Sequence, residues 1–329
     1  MESDLNAPST LRVRVRAMSW EAQTILGLEL VPLPPMTQLP AFTAGAHIDL
    51  HLATRQGLIV RSYSLLNDPN EVHRYCLGIN LDAHSRGGSA FVHSGLRVGD
   101  VLTIGVPRNH FPLDEGAPHN VFIAGGIGIT PMISMIARSI TLGTPWTLHY
   151  ATRTRNHAGF VNHLQALADQ SAGQLMLNFD QEPGGRLLDL NAIASGLPSG
   201  AHVYCCGPIP MLQAYEQATK HLPAERVHKE YFAAKDAPSS EGGFTVELKR
   251  SQKSLQVPSG KTILDCLIEI HAEPAFSCRE GVCGTCEVRV LEGTPDHRDM
   301  VLSESERSAN DRIMVCCSGS KTPRLVLDL

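Results

Sequence analysis

The sequence predicts a multidomain chain. An antiparallel β-barrel over residues 1–115 leads into an α/β parallel-sheet domain over 116–235, then a linker over 236–243 and a small α+β domain over 244–329. Three observations predict it. Short apolar runs punctuated by Gly and Pro fill the first third of the chain, and apolar runs alternating with helical patterns fill the second. After the polar stretch Ala237-Pro-Ser-Ser-Glu-Gly-Gly243, the last third carries Cys278, Cys283 and Cys286, separated by four residues and then by two. A chain of 329 residues is long enough for three cores.

In the first segment the strands read as Leu11 to Met18, Ile25 to Val31, His47 to Leu52, Ile59 to Leu65, Tyr75 to Asn80 and Val101 to Val106. Pro107 and Pro112 close the series. Arg61-Ser-Tyr63-Ser64 sets a cation, a flat aromatic and a hydroxyl on one strand, with all three expected on one face. That set suits a flavin: Arg61 for a phosphate, Tyr63 against the ring, Ser64 toward the reactive N5 edge. Ser85-Arg-Gly87-Gly88-Ser89 reads as a turn into a helix whose first N–H groups and hydroxyl cradle a phosphate. The bland alternative is an ordinary helix start capped by Ser89. His47, His51 and His73 have no second ligand at metal spacing and read as structural, as does Cys76 in its apolar strand.

The second segment alternates strands at Val121 to Ala124, Trp146 to Ala151, Gln174 to Phe179 and His202 to Cys206 with helical patterns at Pro131 to Thr141, His157 to Asp169 and Pro210 to His221. Gly125-Gly126-Ile-Gly128-Ile-Thr130-Pro131 follows its first strand. Glycines there let the backbone approach a pyrophosphate, Thr130 is placed to cap the next helix, and Pro131 suits its first turn. The pattern is G-x-G-x-x-P, and no acidic residue marks the end of the second strand, so the strict dinucleotide fingerprint is not met. Cys206-Gly207-Pro208 ends another strand at the same sheet edge. Cys206 there either faces a nicotinamide or is a buried strand thiol.

In the third segment Phe244 to Leu248 and Ser254 to Val257 read as a strand pair, Thr262 to His271 as a helix and Glu287 to Leu291 as a strand. The fold expected is a small mixed sheet crossed by one helix, with Cys266 in the helix core. Cys278, Cys283 and Cys286, with Cys316 further on, have the plant-type ligand spacing of a 2Fe-2S cluster. Gly281 and Gly284 let the loop curl so that its N–H groups point at sulfur. A structural zinc usually shows two C-x2-C pairs, and disulfides suit neither the odd total of nine cysteines nor an N-terminus without export-signal character. Cys317 beside Cys316 is a spare thiol. A formal net charge of -5 gives no basic footprint for nucleic acid or an anionic membrane, and no apolar run is long enough to span a bilayer.

Through Arg61-x-Tyr63-Ser64, Gly125 to Met132 and Cys206-Gly207-Pro208 the chain resembles the ferredoxin-NADP reductase superfamily. Ser85 to Ser89, His228-Lys-Glu-Tyr-Phe232 and the cysteine loop narrow the resemblance to the phthalate dioxygenase reductase and vanillate demethylase reductase group. It implies a plant-type ferredoxin (β-grasp) fold for the last domain. It also implies FMN, held by Arg61, Tyr63, Ser64, Ile79 and the Gly87-Gly88-Ser89 turn, with Thr130 near the ring and Phe232 over the face where nicotinamide enters. NADH is the implied donor, bound by Gly125, Gly126, Gly128, Thr130, Pro131, Cys206, Gly207 and Pro208. Arg153 beyond the second strand is placed to meet a 2'-phosphate if NADPH is used. The implied fourth iron ligand is Cys316.

Hydride arrives as an electron pair and a 2Fe-2S cluster takes single electrons, so a flavin between them resolves the mismatch. Ser64, Thr130, Cys206 and Phe232 are then the residues nearest the reacting atoms. The expected protein is a cytoplasmic NADH-dependent reductase whose partner is a Rieske-type oxygenase component of an aromatic hydroxylating or demethylating system. A cytochrome or soluble ferredoxin as acceptor, and a redox-responsive binding protein without turnover, are the other readings.

Overall fold

A computed structural model of the chain describes residues 10–55, 57–83, 85–235 and 237–329. The stretch before Thr10, from which the lack of an export signal was read, and Asp236 of the expected linker lie outside these residues. Two compact units meet in sequence between Glu230 and Tyr231, ahead of the polar linker.

The first unit opens with β1 (Thr10–Ala22), β2 (Ile25–Pro32), β3 (His47–Thr54), β4 (Gly57–Ser64), β5 (Tyr75–Asn80), helix α1 (Gly88–Ser94) and β6 (Val101–Gly105). The six strands pair antiparallel in the order β4-β3-β6-β1-β2-β5. A single bridge between Leu65 and Leu77 joins the two edges and closes the barrel. Alternation drives it: Val13, Val15, Ile48, Leu50, Leu52 and Ile104 turn inward and are wholly buried.

The same unit continues with β7 (Asn120–Gly125), α2 (Ile129–Leu142), β8 (Trp146–Thr152), α3 (Val161–Asp169), β9 (Gln174–Phe179), α4 (Leu190–Ser195), β10 (His202–Cys206), α5 (Ile209–Ala218) and β11 (Val227–Glu230). The sheet is all parallel, ordered β11-β10-β7-β8-β9. Its central strands β7 and β10 are buried at every position, as a sheet covered on both faces requires. Helix α3 starts later than the His157 expected from sequence, because Arg155–His157 forms a 3-10 turn and Phe160 takes a left-handed φ of 62°. Helix α5 spans Ile209–Ala218, starting just ahead of the expected Pro210 to His221 pattern and stopping short of its end, where the Thr219 hydroxyl bonds back to Tyr215 O.

The second unit holds β12 (Phe244–Leu248), β13 (Lys253–Val257), α6 (Ile263–Glu269), β14 (Glu287–Glu292), β15 (Pro295–Asp296), α7 (Glu304–Ala309), β16 (Arg312–Met314), β17 (Gly319–Ser320) and β18 (Arg324–Leu327). Its main sheet is mixed, ordered β13-β12-β18-β14-β16, with β12 and β18 parallel at the centre. Thr262, where the expected helix begins, caps α6 in a reciprocal capping box with Asp265, the helix ending at Glu269 rather than His271, and Ser303 with Glu306 does the same for α7. Among the described residues no helix is long and apolar enough to cross a membrane.

Candidate functional site

On β4 the two-residue period puts Arg61 and Tyr63 on one face. Ser64 falls one step out of that alternation, so the three expected on one face are not: Ser64 is the strand's last residue, buried and paired across to His47. Burial pushes the Tyr63 phenol up to about 12, against the opposing pull of Arg61. The Arg61 stem lies over the start of α1, because a Cβ at Gly88 would stand 2.8 Å from Arg61 Cγ. Its guanidinium donates to Val60 O at 2.8 Å and Arg86 O at 3.4 Å. Thus Arg61 and the glycine turn, well separated in the sequence, form one crevice wall.

Helix α1 is capped by Gly87, whose φ of 91° demands glycine, and not by Ser89. The Ser89 hydroxyl accepts from Asp82 N at 3.2 Å and donates to Ser85 Oγ, while Ser85 Oγ accepts from Ala90 N. Ile79, expected at the flavin, is wholly buried in the barrel core. His93 Nε2 already donates to its carbonyl at 2.9 Å.

At the mouth of the parallel sheet, Gly126–Gly128 make a 3-10 turn and α2 begins at Ile129. Thr130 is therefore inside the first turn and does not cap it; its hydroxyl donates back to Ile127 O at 3.0 Å. Pro131 sits in that turn, buried, where a missing N–H costs nothing. Gly128 packs backbone to backbone on the other strand end: a Cβ there would stand 2.2 Å from Cys206 O. A Cβ at Gly125 would meet Pro208 Cδ at 2.6 Å, and one at Gly207 the Gly125 backbone at 3.2 Å. The structure thus gathers Gly125, Gly128, Cys206, Gly207 and Pro208 into one cradle. It also seats the Thr130 methyl on β5, 2.7 Å from where a Cβ of Gly78 would be.

The Cys206 side chain lies within the hydrophobic core, and burial together with the neighbouring Glu230 raises its thiol well above the usual value. Glu230 faces Cys206 in the β10–β11 register. Although the residue as a whole is only partly buried, its Oε2 is shut from solvent with no hydrogen-bond partner, and burial raises the acid from 4.5 to about 8. Arg153 is exposed beyond β8. Beside it Arg155 stacks over Phe179 at 4.7 Å, and Asp180 at the end of β9 has a buried, unpartnered Oδ1. Glu230 and Asp180 are the acidic groups that sequence reasoning passed over: each ends a strand, and neither sits at the second strand, where the fingerprint places its carboxylate.

A cleft of 460 Å³ in the first unit, lined by Glu29, Arg74, half-buried Cys76, Phe160 and His163, contains none of the residues selected from the sequence. His47 is structural, buried beside Arg108 and Asp49, and burial lowers it to about 4 with Arg108 assisting.

In the second unit Phe232 is 39 % exposed. Cys278, Cys283, Cys286 and Cys316 are all at least nine-tenths buried. Gly281 and Gly284 hold φ of 72° and 70°, the left-handed turns that curl the loop. Glu280 N–H donates to Cys278 Sγ at 3.3 Å, and Thr285 Oγ1 is 3.2 Å from Cys283 Sγ. The Cys278 thiol neighbours those of Cys283 and Cys316. Cys317 is buried too, its sulfur against the Gly281 backbone, and Cys266 is in the core. Among the described residues no three or more His, Cys, Asp or Glu side chains converge as for a single metal ion. Thiols spread around a curled loop, with N–H groups turned to sulfur, fit a two-iron cluster.

Comparison with known proteins agrees. The 2Fe-2S iron-sulfur cluster binding domain family matches residues 246–320, and the oxidoreductase NAD-binding domain family matches 122–217. The chain is 51 % identical over 323 residues to phenoxybenzoate dioxygenase subunit beta of Ectopseudomonas oleovorans, covering 98 % of both chains. It is 46 % identical over 326 residues to tetrachlorobenzoquinone reductase of Sphingobium chlorophenolicum, covering 98 % of this chain and 99 % of that one. The solved structure of phthalate dioxygenase reductase, described as modular for electron transfer from pyridine nucleotides to [2Fe-2S], superposes with a TM-score of 0.71 at 35 % identity, over 97 % of this chain and 98 % of that one. With its barrel, parallel sheet and cysteine loop in that order, the chain belongs to the phthalate dioxygenase reductase and vanillate O-demethylase reductase group of the ferredoxin-NADP reductase superfamily.

Proposed function

We propose that the chain is an NADH-dependent reductase that delivers single electrons through a 2Fe-2S cluster to a Rieske-type oxygenase component of an aromatic hydroxylating or demethylating system. One observation carries the first half: within a single compact unit, Thr130 at the head of the glycine turn touches β5 of the barrel, so the nucleotide cradle and the flavin crevice adjoin. FMN in that crevice supplies the conversion of a hydride pair into single electrons. Arg61 and the first turn of α1 would hold its phosphate, and Tyr63 would pack against the ring. Gly125, Gly126, Gly128, Gly207 and Pro208 admit the dinucleotide backbone. Cys278, Cys283, Cys286 and Cys316 hold the irons. Full-length likeness to a dioxygenase subunit and to a dioxygenase reductase supports the oxygenase as acceptor. Likeness to a tetrachlorobenzoquinone reductase makes a quinone the second acceptor to test. The cytoplasm is the compartment that suits nine free thiols.

The test is stopped-flow mixing with NADH. Flavin bleaching followed by cluster bleaching supports the proposal. Bleaching of the flavin with a cluster that never follows, or a purified protein without iron, overturns it.

A further inference from the structure

Beneath the cysteine loop lies a charged group that neither the fold nor electron transfer accounts for. Asp299 is fully buried, between β15 and α7. Its Oδ1 accepts from Val301 N at 3.0 Å and Leu302 N at 2.8 Å, while Oδ2 has no hydrogen-bond partner. Around it stand Arg307, with Nη2 4.0 Å from Oδ1 and a bond to the Asp299 carbonyl, and the buried His297, with Nδ1 3.8 Å from Oδ2. Burial opposes ionisation of Asp299, but the neighbouring His297, the backbone N–H bonds it accepts and the Arg307 charge outweigh that and hold its pKa below the usual value.

The Asp299 backbone packs on the loop between the first two cysteines, and its charge bears on the Cys317 thiol, whose sulfur lies against Gly281. Met300 N donates to Gly281 O at 2.8 Å, and a Cβ at Gly281 would stand 3.0 Å from Asp299 Cα. A fixed negative charge so placed, in a medium that screens it poorly, makes adding an electron to the loop's contents harder. Arg307 acts in the opposite sense and, with its side chain 33 % exposed, more weakly.

We propose that Asp299 is a tuning residue whose buried charge lowers the reduction potential of the cluster, with Arg307 partly offsetting it. The inference rests on the loop holding a 2Fe-2S cluster. It assigns Asp299 and Arg307 to setting how far electrons fall from flavin to cluster.

The test is the cluster's midpoint potential, from redox titration followed by electron paramagnetic resonance, in Asp299→Asn and Arg307→Gln. Asparagine keeps an oxygen for the Val301 and Leu302 N–H groups and removes only the charge. The expected result is a midpoint raised in Asp299→Asn and lowered, by less, in Arg307→Gln, with iron content unchanged. Shifts of both variants in one direction, which loop distortion gives, overturn the proposal, as does an unmoved midpoint in loaded Asp299→Asn. If Asp299→Asn does not load iron, Arg307→Gln decides: a lowered midpoint supports the proposal and an unchanged one overturns it. Wild-type reduction by NADH, read separately, tells failure of this inference from failure of the proposed function.

Discussion

Replacing Glu230 with Gln tests the least expected group at the nucleotide cradle. Folding raises this acid from 4.5 to about 8 through burial. The folded chain therefore keeps the proton over a range in which the unfolded chain has released it, and stability falls as pH rises from 4.5, levelling off above about 8. At about 1.4 kcal/mol per unit the whole shift corresponds to roughly 5 kcal/mol, reduced to about 2–4 by water reaching the carboxyl. His228 and His47, both lowered to about 4 by burial, act only below their unfolded value of 6.5. Between pH 6.5 and 8 the Glu230 slope stands alone and amounts to about 1–2 kcal/mol. Both tryptophans, Trp20 and Trp146, are in the first unit, so denaturant unfolding followed by tryptophan emission reports on this half of the chain. Wild type should lose stability across that window and Glu230→Gln should be flat. Equal slopes in the two proteins, or a flat wild type, refute the reasoning.

Other outcomes follow from the same geometry. Gly128→Ala drives a methyl against Cys206 O and should cost about 1–3 kcal/mol in the same unfolding assay, with loss of flavin reduction by NADH. Cys283→Ala should leave NADH oxidation by the flavin intact and abolish onward transfer, read as cytochrome c reduction. Asp180→Ser removes an unpartnered carboxylate oxygen from the end of β9 and should cut the preference for NADH over NADPH about tenfold, measured as the ratio of kcat/KM values. His228 is kept neutral by burial and by His202, so stability should fall as pH drops from 6.5 toward 4, and His228→Gln should lessen that fall in acid unfolding curves.

Much of the fold was legible because local pattern and tertiary role agree. Tyr75–Asn80, Gln174–Phe179, His202–Cys206 and Phe244–Leu248 are apolar runs of strand length bounded by turns, and each forms the strand expected. The elements not foreseen are short or charged. Strand β11 is Val-His-Lys-Glu and β16 is Arg-Ile-Met, each held by a strand distant in sequence, while α7, Glu-Ser-Glu-Arg-Ser-Ala, has no buried residue and rests on its capping box rather than on apolar periodicity. The glycines of the cradle announced a close backbone approach, but not that the approach was to Cys206. Thr130 misled as a cap because the 3-10 turn moves the helix start ahead of it. Glu230, Asp180 and Asp299 look in sequence like any surface acid. Only the assembled fold shows that their oxygens are enclosed.

The contact of Gly128 with Cys206 O has a consequence for redesign. Where two main chains touch, there is no side chain to exchange, so the centre of the cradle offers no handle for changing which nicotinamide is accepted. A library meant to retarget the protein should leave the 125–131 and 206–208 segments alone and vary the rim where β8 and β9 end, around Arg153, Arg155 and Asp180.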